Sequence, residues 1–284
     1  YRVERGTHPH RPVSTQRAFF MNPTLTPNDG APEPGEVPST PDGAVEIRLL
    51  TDADDMVIIG EVFQQVWGSM TELVRLEMLM AVSHAGGYVV GAFDTSRRSD
   101  NHPNGQILGA SVALLATHQG QPALHSHVTG ILPGARSTGL GRAMKLHQQS
   151  WARERGIEWI VWTFDPLVRR NAWFNIAILG AEVHEYLPRF YGTMTDAINA
   201  GDESDRLLVA WSTATDAAAP VRDGTGSDAH SLIPTPDDIV TLRRTDPAAV
   251  ATWRASSRKA LTTALDSGRH VVGFTRNGEY VIGS

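Results

Sequence analysis

The chain contains no cysteine among its 284 residues. Disulfides, thiolate-held metals and a cysteine nucleophile are therefore excluded, and nothing calls for an oxidising compartment. Long apolar runs are missing too: none approaches the ~20 residues of a membrane-spanning helix. Near the start, Ala18, Phe19 and Phe20 stand alone among prolines, too few for the apolar core of a signal peptide. There is no basic excess either. A net charge of −6 argues against the cationic stripe with which nucleic-acid binders neutralise phosphates. The expectation is a cytoplasmic protein without membrane or nucleic-acid partners.

Apolar residues make up 41% of the chain and charged residues 20%, enough to bury a sizeable core. Their distribution is uneven. Eight of the 17 prolines fall within residues 1–43, in a polar stretch that buries too little to offset its ordering entropy. Residues 1–43 therefore read as a disordered leader. His8 and His10 within it are incidental, and Met21 marks an alternative start.

From Ala44 the pattern changes. Residues 45–50 alternate as a strand, and Thr51 with Asp52, Asp54 and Asp55 opens a helix buried through Met56, Ile59, Val62, Phe63 and Val66. Ser69 and Glu72 form a capping box for a second helix running to about His84. Strands follow at 87–93 and 107–117, parted by a turn with Asn101, Pro103, Asn104 and Gly105. The order then becomes strand 123–132, helix 140–155, strand 157–164, helix 169–179 and, after a polar loop, strand 206–211. Such alternation implies a parallel pair inside a mixed sheet.

Four segments result: the leader 1–43, a main domain 44–213, a linker 214–231 and a C-terminal unit 232–284. In the last, Asp246 and Pro247 start a helix carrying Val250, Trp253, Leu261 and Ala264 on its apolar side. Gly268 ends it, and Asn277-Gly278 turns a hairpin. A unit of about 50 residues is marginal alone, so it is expected to dock on the main domain or on a partner. The hairpin also suits a strand-exchanged homodimer. Arg254 and Arg258 read as a solvated basic pair.

The most informative run is Arg136-Ser137-Thr138-Gly139-Leu140-Gly141-Arg142, set between a strand and a helix. Glycines permit close backbone approach, and the first amides of a helix have no internal partner and favour an anion. A pyrophosphate is the natural guest. A phosphate-binding loop of the G-x-x-x-x-G-K-[ST] type is absent, and no third glycine completes G-x-G-x-x-G.

R-x-x-G-x-G after a strand ending Ile131-Leu132-Pro133 resembles the acyl-CoA loop of the GNAT superfamily of N-acyltransferases. The likeness extends over roughly residues 45–212, with Asn171-Ala172-Trp173-Phe174-Asn175 before Leu179-Gly180-Ala181 similar to a bacterial group with a C-terminal extension. The resemblance implies an α/β (α+β) GNAT fold: a mixed central sheet flanked by helices, here with a small helix-hairpin extension. It implies acetyl-CoA, or another acyl-CoA, as cofactor. Arg136, Ser137, Thr138, Gly139, Leu140, Gly141 and Arg142 would bind its pyrophosphate. Thr129, Gly130 and Ile131 would pair with the pantetheine arm as with an added strand. Asn171 and Phe174 would flank the far side.

The implied reaction is direct attack of an amine on the thioester, with a small-molecule amine as acceptor. Modification of a protein N-terminus or lysine, and non-catalytic acyl-CoA binding, are the alternatives. No metal is implied. The position where many GNAT members carry an acidic tyrosine is Ile176 here. Tyr186 and Tyr191 are candidate replacements, with packing roles as the alternative. His127, with His125 on the same strand face, and Asp165 are candidate bases. Hydrogen bonding across the sheet and helix capping are their structural alternatives.

Overall fold

The computed structural model describes residues 44–68, 74–100, 103–136, 138–192, 202–215, 222–223 and 231–284. The leader with His8, His10 and Met21, the Ser69/Glu72 capping box, Asn101, Ser137 and most of the 214–231 linker lie outside the described residues.

Seven strands form one sheet in the order β1-β2-β3-β4-β5-β7-β6. They are β1 (Val45–Leu49), β2 (Tyr88–Asp94), β3 (Gln106–His118), β4 (Gln121–Ile131), β5 (Trp159–Phe164), β6 (Glu182–Leu187) and β7 (Arg206–Ser212). Every neighbouring pair is antiparallel except β4 with β5. That exception follows from connectivity. A tight turn at Gln119 and Gly120, both at positive φ, joins β3 to β4, whereas β4 reaches β5 through a helix, which a parallel crossover requires.

Helices cover both faces. On one, α1 (Ala53–Trp67) and α2 (Leu76–His84) bury Met56, Ile59, Phe63, Leu79 and Val82 against Val89, Phe93, Ala110 and Val112. On the other, α3 (Leu140–Arg153) sets Leu140, Met144 and Trp151 against Tyr88, Val90, Leu124, Ile160 and Trp162. Beside it, α4 (Arg169–Ala172) continues as a π-helical turn through Trp173–Ile178 and stops at Gly180, whose φ of 71° only glycine adopts readily.

The C-terminal unit adds β8 (Ser231–Pro234), α5 (Ile239–Thr245), α6 (Pro247–Asp266), β9 (His270–Phe274) and β10 (Glu279–Gly283), its strands ordered β8-β10-β9. It shares the main core. Ile233, Leu261, Phe274, Tyr280 and Ile282 pack in the same cluster as Ile160, Ala177 and Val183. Asp246 caps α6 as its sequence implies, accepting from the Ala249 amide.

Several sequence expectations need correction. The N-cap position of α1 is Asp52 instead of Thr51, without a side-chain capping bond, and α2 begins at Leu76. β6 lies in what reads as a polar loop, because a register shift between Val183 and Glu185 breaks its alternation. β8 and α5 were also not expected. Arg254 and Arg258 are no solvated pair. Arg254 is 2% exposed and bridges Asp165 and Asp202, while Arg258 bonds Glu203 and Asp205.

Candidate active site

β4 and β5 run together for only three rungs: Ala123 with Trp159, Leu124 with Ile160, and His125 with Val161. Beyond them the strands part, while each keeps its other neighbour. The edge of β4 from Ser126 to Ile131 therefore faces a gap. The register of β4 on β3 also slips here, since Val112 pairs Val128 and Ala113 pairs Ser126. His127 is the extra residue of this bulge. It is exposed, and its ring centroid lies 6.2 Å from that of His125. His125 pairs Leu114, which packs on the α1/α2 cluster, so its imidazole belongs to that face. Partial desolvation by the surrounding protein lowers the pKa of both imidazoles, His127 included although its surface is open, and His127 and Lys145 push His125 down further. Both are neutral near pH 7.

The open end of the gap meets the glycine loop. Gly139 takes φ 80° as N-cap of α3, and among the described residues no side chain caps that helix. A Cβ on Gly141 would stand 3.2 Å from Ile131 Cδ1 and 4.0 Å from Phe174 Cζ. The loop, the end of β4 and the π-helical turn thus converge at the positions expected to hold a pyrophosphate and pantetheine. Thr138 Oγ1 donates to the Ala135 carbonyl at 2.9 Å, and Arg136 Nε donates to the Ile131 carbonyl at 3.3 Å. Burial and the nearby Arg170 charge lower the Arg136 pKa, a sign of positive potential that an anion would relieve. Asn171 is exposed on α4, with its amide turned to Val168.

Of the four candidate acid–base residues, two are committed elsewhere. Asp165 is buried, accepts from the Leu167 amide at 2.9 Å, and pairs with Arg254 at 2.7 and 3.0 Å and with Arg243. Burial alone would raise its pKa, but the two guanidiniums outweigh this and lower it. Its negative charge is held between Arg254 and Arg243. Tyr186 is buried and donates to Asp205 at 2.6 Å. Burial and that carboxylate raise its pKa, so it is not poised to give up a proton. Tyr191 is open to solvent: 45% exposed, its hydroxyl lies 3.3 Å from Thr163 Oγ1 on β5, with the Arg206 guanidinium over its ring.

One group went unrecognised in the sequence. Lys145 on α3 occupies an interior position, 7% exposed. Its Nζ donates to Ser126 Oγ at 2.9 Å and to Gln148 Oε1 at 3.2 Å, and lies 3.9 Å from the Trp162 ring centroid. Only its place on the inward stripe of α3, beside Met144 and Gln148, could have signalled this.

The C-terminal unit holds the far wall. Tyr280 donates to the Pro166 carbonyl at 2.6 Å. Arg169 pairs with Asp237 at 2.6 Å and donates to the Thr235 hydroxyl at 3.2 Å. Leu167 and Val168 pack against Ile239 and Val250. The connection from β5 to α4 is thus clamped immediately before Asn171 and Phe174.

No family model and no curated protein matches the chain. Among solved structures it is similar to the ribosomal-protein-S5-alanine acetyltransferase of Vibrio fischeri, at 16% identity over 60% of this chain and 94% of that one, with a TM-score of 0.46. YncA of Salmonella typhimurium, solved with its cofactor acetyl-CoA, gives 18% identity, 63% and 98% coverage and a TM-score of 0.47. The ribosomal-protein-S18-alanine N-acetyltransferase of Escherichia coli gives 12%, 61% and 96%, and 0.45.

Proposed function

We propose that the chain is an acyl-CoA-dependent N-acyltransferase of the GNAT kind, moving an acetyl group from acetyl-CoA to an amine. The observation that carries this is the parting of β4 from β5 with an uncapped helix N-terminus and a glycine cradle at its open end. The α3 amides and Arg136 suit the pyrophosphate. The edge of β4 at Thr129, Gly130 and Ile131, which faces the gap, suits the amides of a pantetheine arm lying as an added strand.

An amine entering beside the bulge meets neutral imidazoles. His127 accepts its proton as nitrogen attacks the thioester carbon, and the bulge frees backbone groups from the β3 ladder to hydrogen-bond near the carbonyl. We take a small-molecule amine as the acceptor. Calorimetric titration with acetyl-CoA tests the reading. Wild type is expected to bind at micromolar level. Gly141→Trp, which fills the space between Ile131 and Phe174, should lose binding by more than tenfold while keeping its circular dichroism spectrum. A folded wild type that does not bind overturns the reading. Thiol release across a panel of small amines and peptides then distinguishes the acceptor classes, and binding without turnover would favour a non-catalytic acyl-CoA-binding role.

A further inference from the structure

Past the last paired rung of β4 and β5, His125 with Val161, the next residues are Ser126 and Trp162. The Lys145 ammonium touches both. It therefore lies beneath the apex of the gap, where the strands first separate. Among the described residues no carboxylate neutralises it: its contacts are a hydroxyl, an amide oxygen and an aromatic ring. A buried ammonium without a counter-ion is costly and is driven toward the neutral amine, unless an anion beside it stabilises the charge. The charged or titratable neighbour that influences it from the facing strand is His125, itself held neutral.

Distance suggests which anion. From Ile131, beside the glycine loop, to Ser126 is five residues of strand, roughly 17 Å at ~3.3 Å per residue. A phosphopantetheine arm of about a dozen bonds, extended like a peptide chain, spans roughly 15 Å. With its phosphate end at the loop and its amides along β4, the arm would bring its sulfur to the apex.

Building on the acyl-CoA reading, we infer that Lys145, acting through the Ser126 hydroxyl, stabilises and protonates the thiolate that leaves as the thioester is cleaved. The amine nitrogen bonds to the carbonyl carbon and loses a proton to His127. The carbon–sulfur bond breaks with its electron pair on sulfur. Ser126 passes its proton to sulfur and takes one from the Lys145 ammonium, and solvent exchange returns the His127 proton to Lys145. No oxidant or further reactant is needed. The arrangement would also account for Ile176 at the usual tyrosine position and for Tyr186 being bound to Asp205. Burial pushes the Lys145 pKa down to about 7, which suits a proton donor at neutral pH.

The test uses free CoA and needs no acceptor. Thiolate absorbance of CoA bound to the full chain is titrated against pH for wild type, Lys145→Met and Ser126→Ala, with calorimetry fixing occupancy. The bound thiol is expected to titrate at least one pH unit lower in wild type than in Lys145→Met, with Ser126→Ala between them. An equal thiol pKa in all three, at full occupancy, overturns the role of Lys145 while leaving the acyl-CoA reading intact. Failure of wild type to bind CoA overturns both. Should Lys145→Met bind poorly, Ser126→Ala alone decides, because it retains the ammonium and removes the relay.

Discussion

At the scale of single residues, Lys145 links stability to pH. Its ammonium is buried, and its pKa is pushed down from 10.5 to about 7. Between these values the unfolded chain holds a proton that the folded chain has lost, so stability rises with pH from about 7 upward and the cost of the charge is fully present below 7. Tyr88, Tyr186 and Tyr280, with pKa values raised chiefly by burial, act oppositely above pH 10. The clean window is therefore pH 7 to 9. Chemical denaturation of wild type should show ΔG increasing across that window by a few kcal/mol, at ~1.4 kcal/mol per unit. Lys145→Met should flatten the slope and be the more stable protein at pH 6.5. A flat wild-type profile would mean the ammonium is solvated. His127 carries a separate expectation. Its depressed pKa keeps it a free base down to below 6.5, so the acid limb of kcat/KM should lie below that value. His127→Gln should lower kcat by about 100-fold and leave acetyl-CoA affinity unchanged.

At the scale of elements, what could be read from the sequence was what local rules decide. The glycine loop is legible because positive φ at Gly139, where α3 begins, is a property of the local backbone, whereas the tight space at Gly141 comes from Ile131 and Phe174 elsewhere in the chain. Asp246-Pro247 and Asn277-Gly278 are legible for the same reason. β6 was not, since one slipped residue between Val183 and Glu185 erases a period-2 pattern. The bulge at His127 was equally hidden: nothing in Leu124-His125-Ser126-His127-Val128 says which residue β3 will skip. The committed states of Asp165 and Tyr186 depend on partners 89 and 19 positions away, beyond any motif. Gly278 shows how an element boundary meets the site. A Cβ there would stand 1.9 Å from Arg169 Nε, at the start of α4, and its φ of 85° disfavours any side chain. Gly278→Ala should destabilise the protein by more than about 1 kcal/mol. Acetyl-CoA affinity should weaken with it, because Arg169 opens the helix that carries Phe174; unchanged affinity in a measurably destabilised variant would separate the hairpin from the site.

At the scale of the whole molecule, the C-terminal unit and the main domain form one ionic core. Arg243, Arg254 and Arg258 from α5 and α6 meet Asp165 at the end of β5 and Asp202, Glu203 and Asp205 ahead of β7. The same segment steadies the turn that carries Tyr191: Ser204 Oγ accepts from the Tyr191 amide at 3.0 Å and donates to the Gly192 carbonyl at 2.6 Å. The end of β5 and the segment leading into β7 are thus both tied to α6. Arg254 is the node, with a two-point bond to Asp165 and further bonds to Asp202. Removing one partner of a buried pair leaves the others uncompensated, which costs about 3–5 kcal/mol. Arg254→Ala should lose that much stability in urea. Arg254→Lys should recover little of it, because a single ammonium cannot reproduce a planar fork shared between two carboxylates. Acid should act on the same node. Asp165 has a pKa below its ordinary value, the guanidiniums prevailing over burial, so its contribution is present above about pH 4 and lost as pH falls through the depressed value. The stability gap between wild type and Arg254→Ala should therefore close in strong acid. If the gap instead persists unchanged at pH 2, the cost of the substitution lies in packing around α6 and not in the ion pairs.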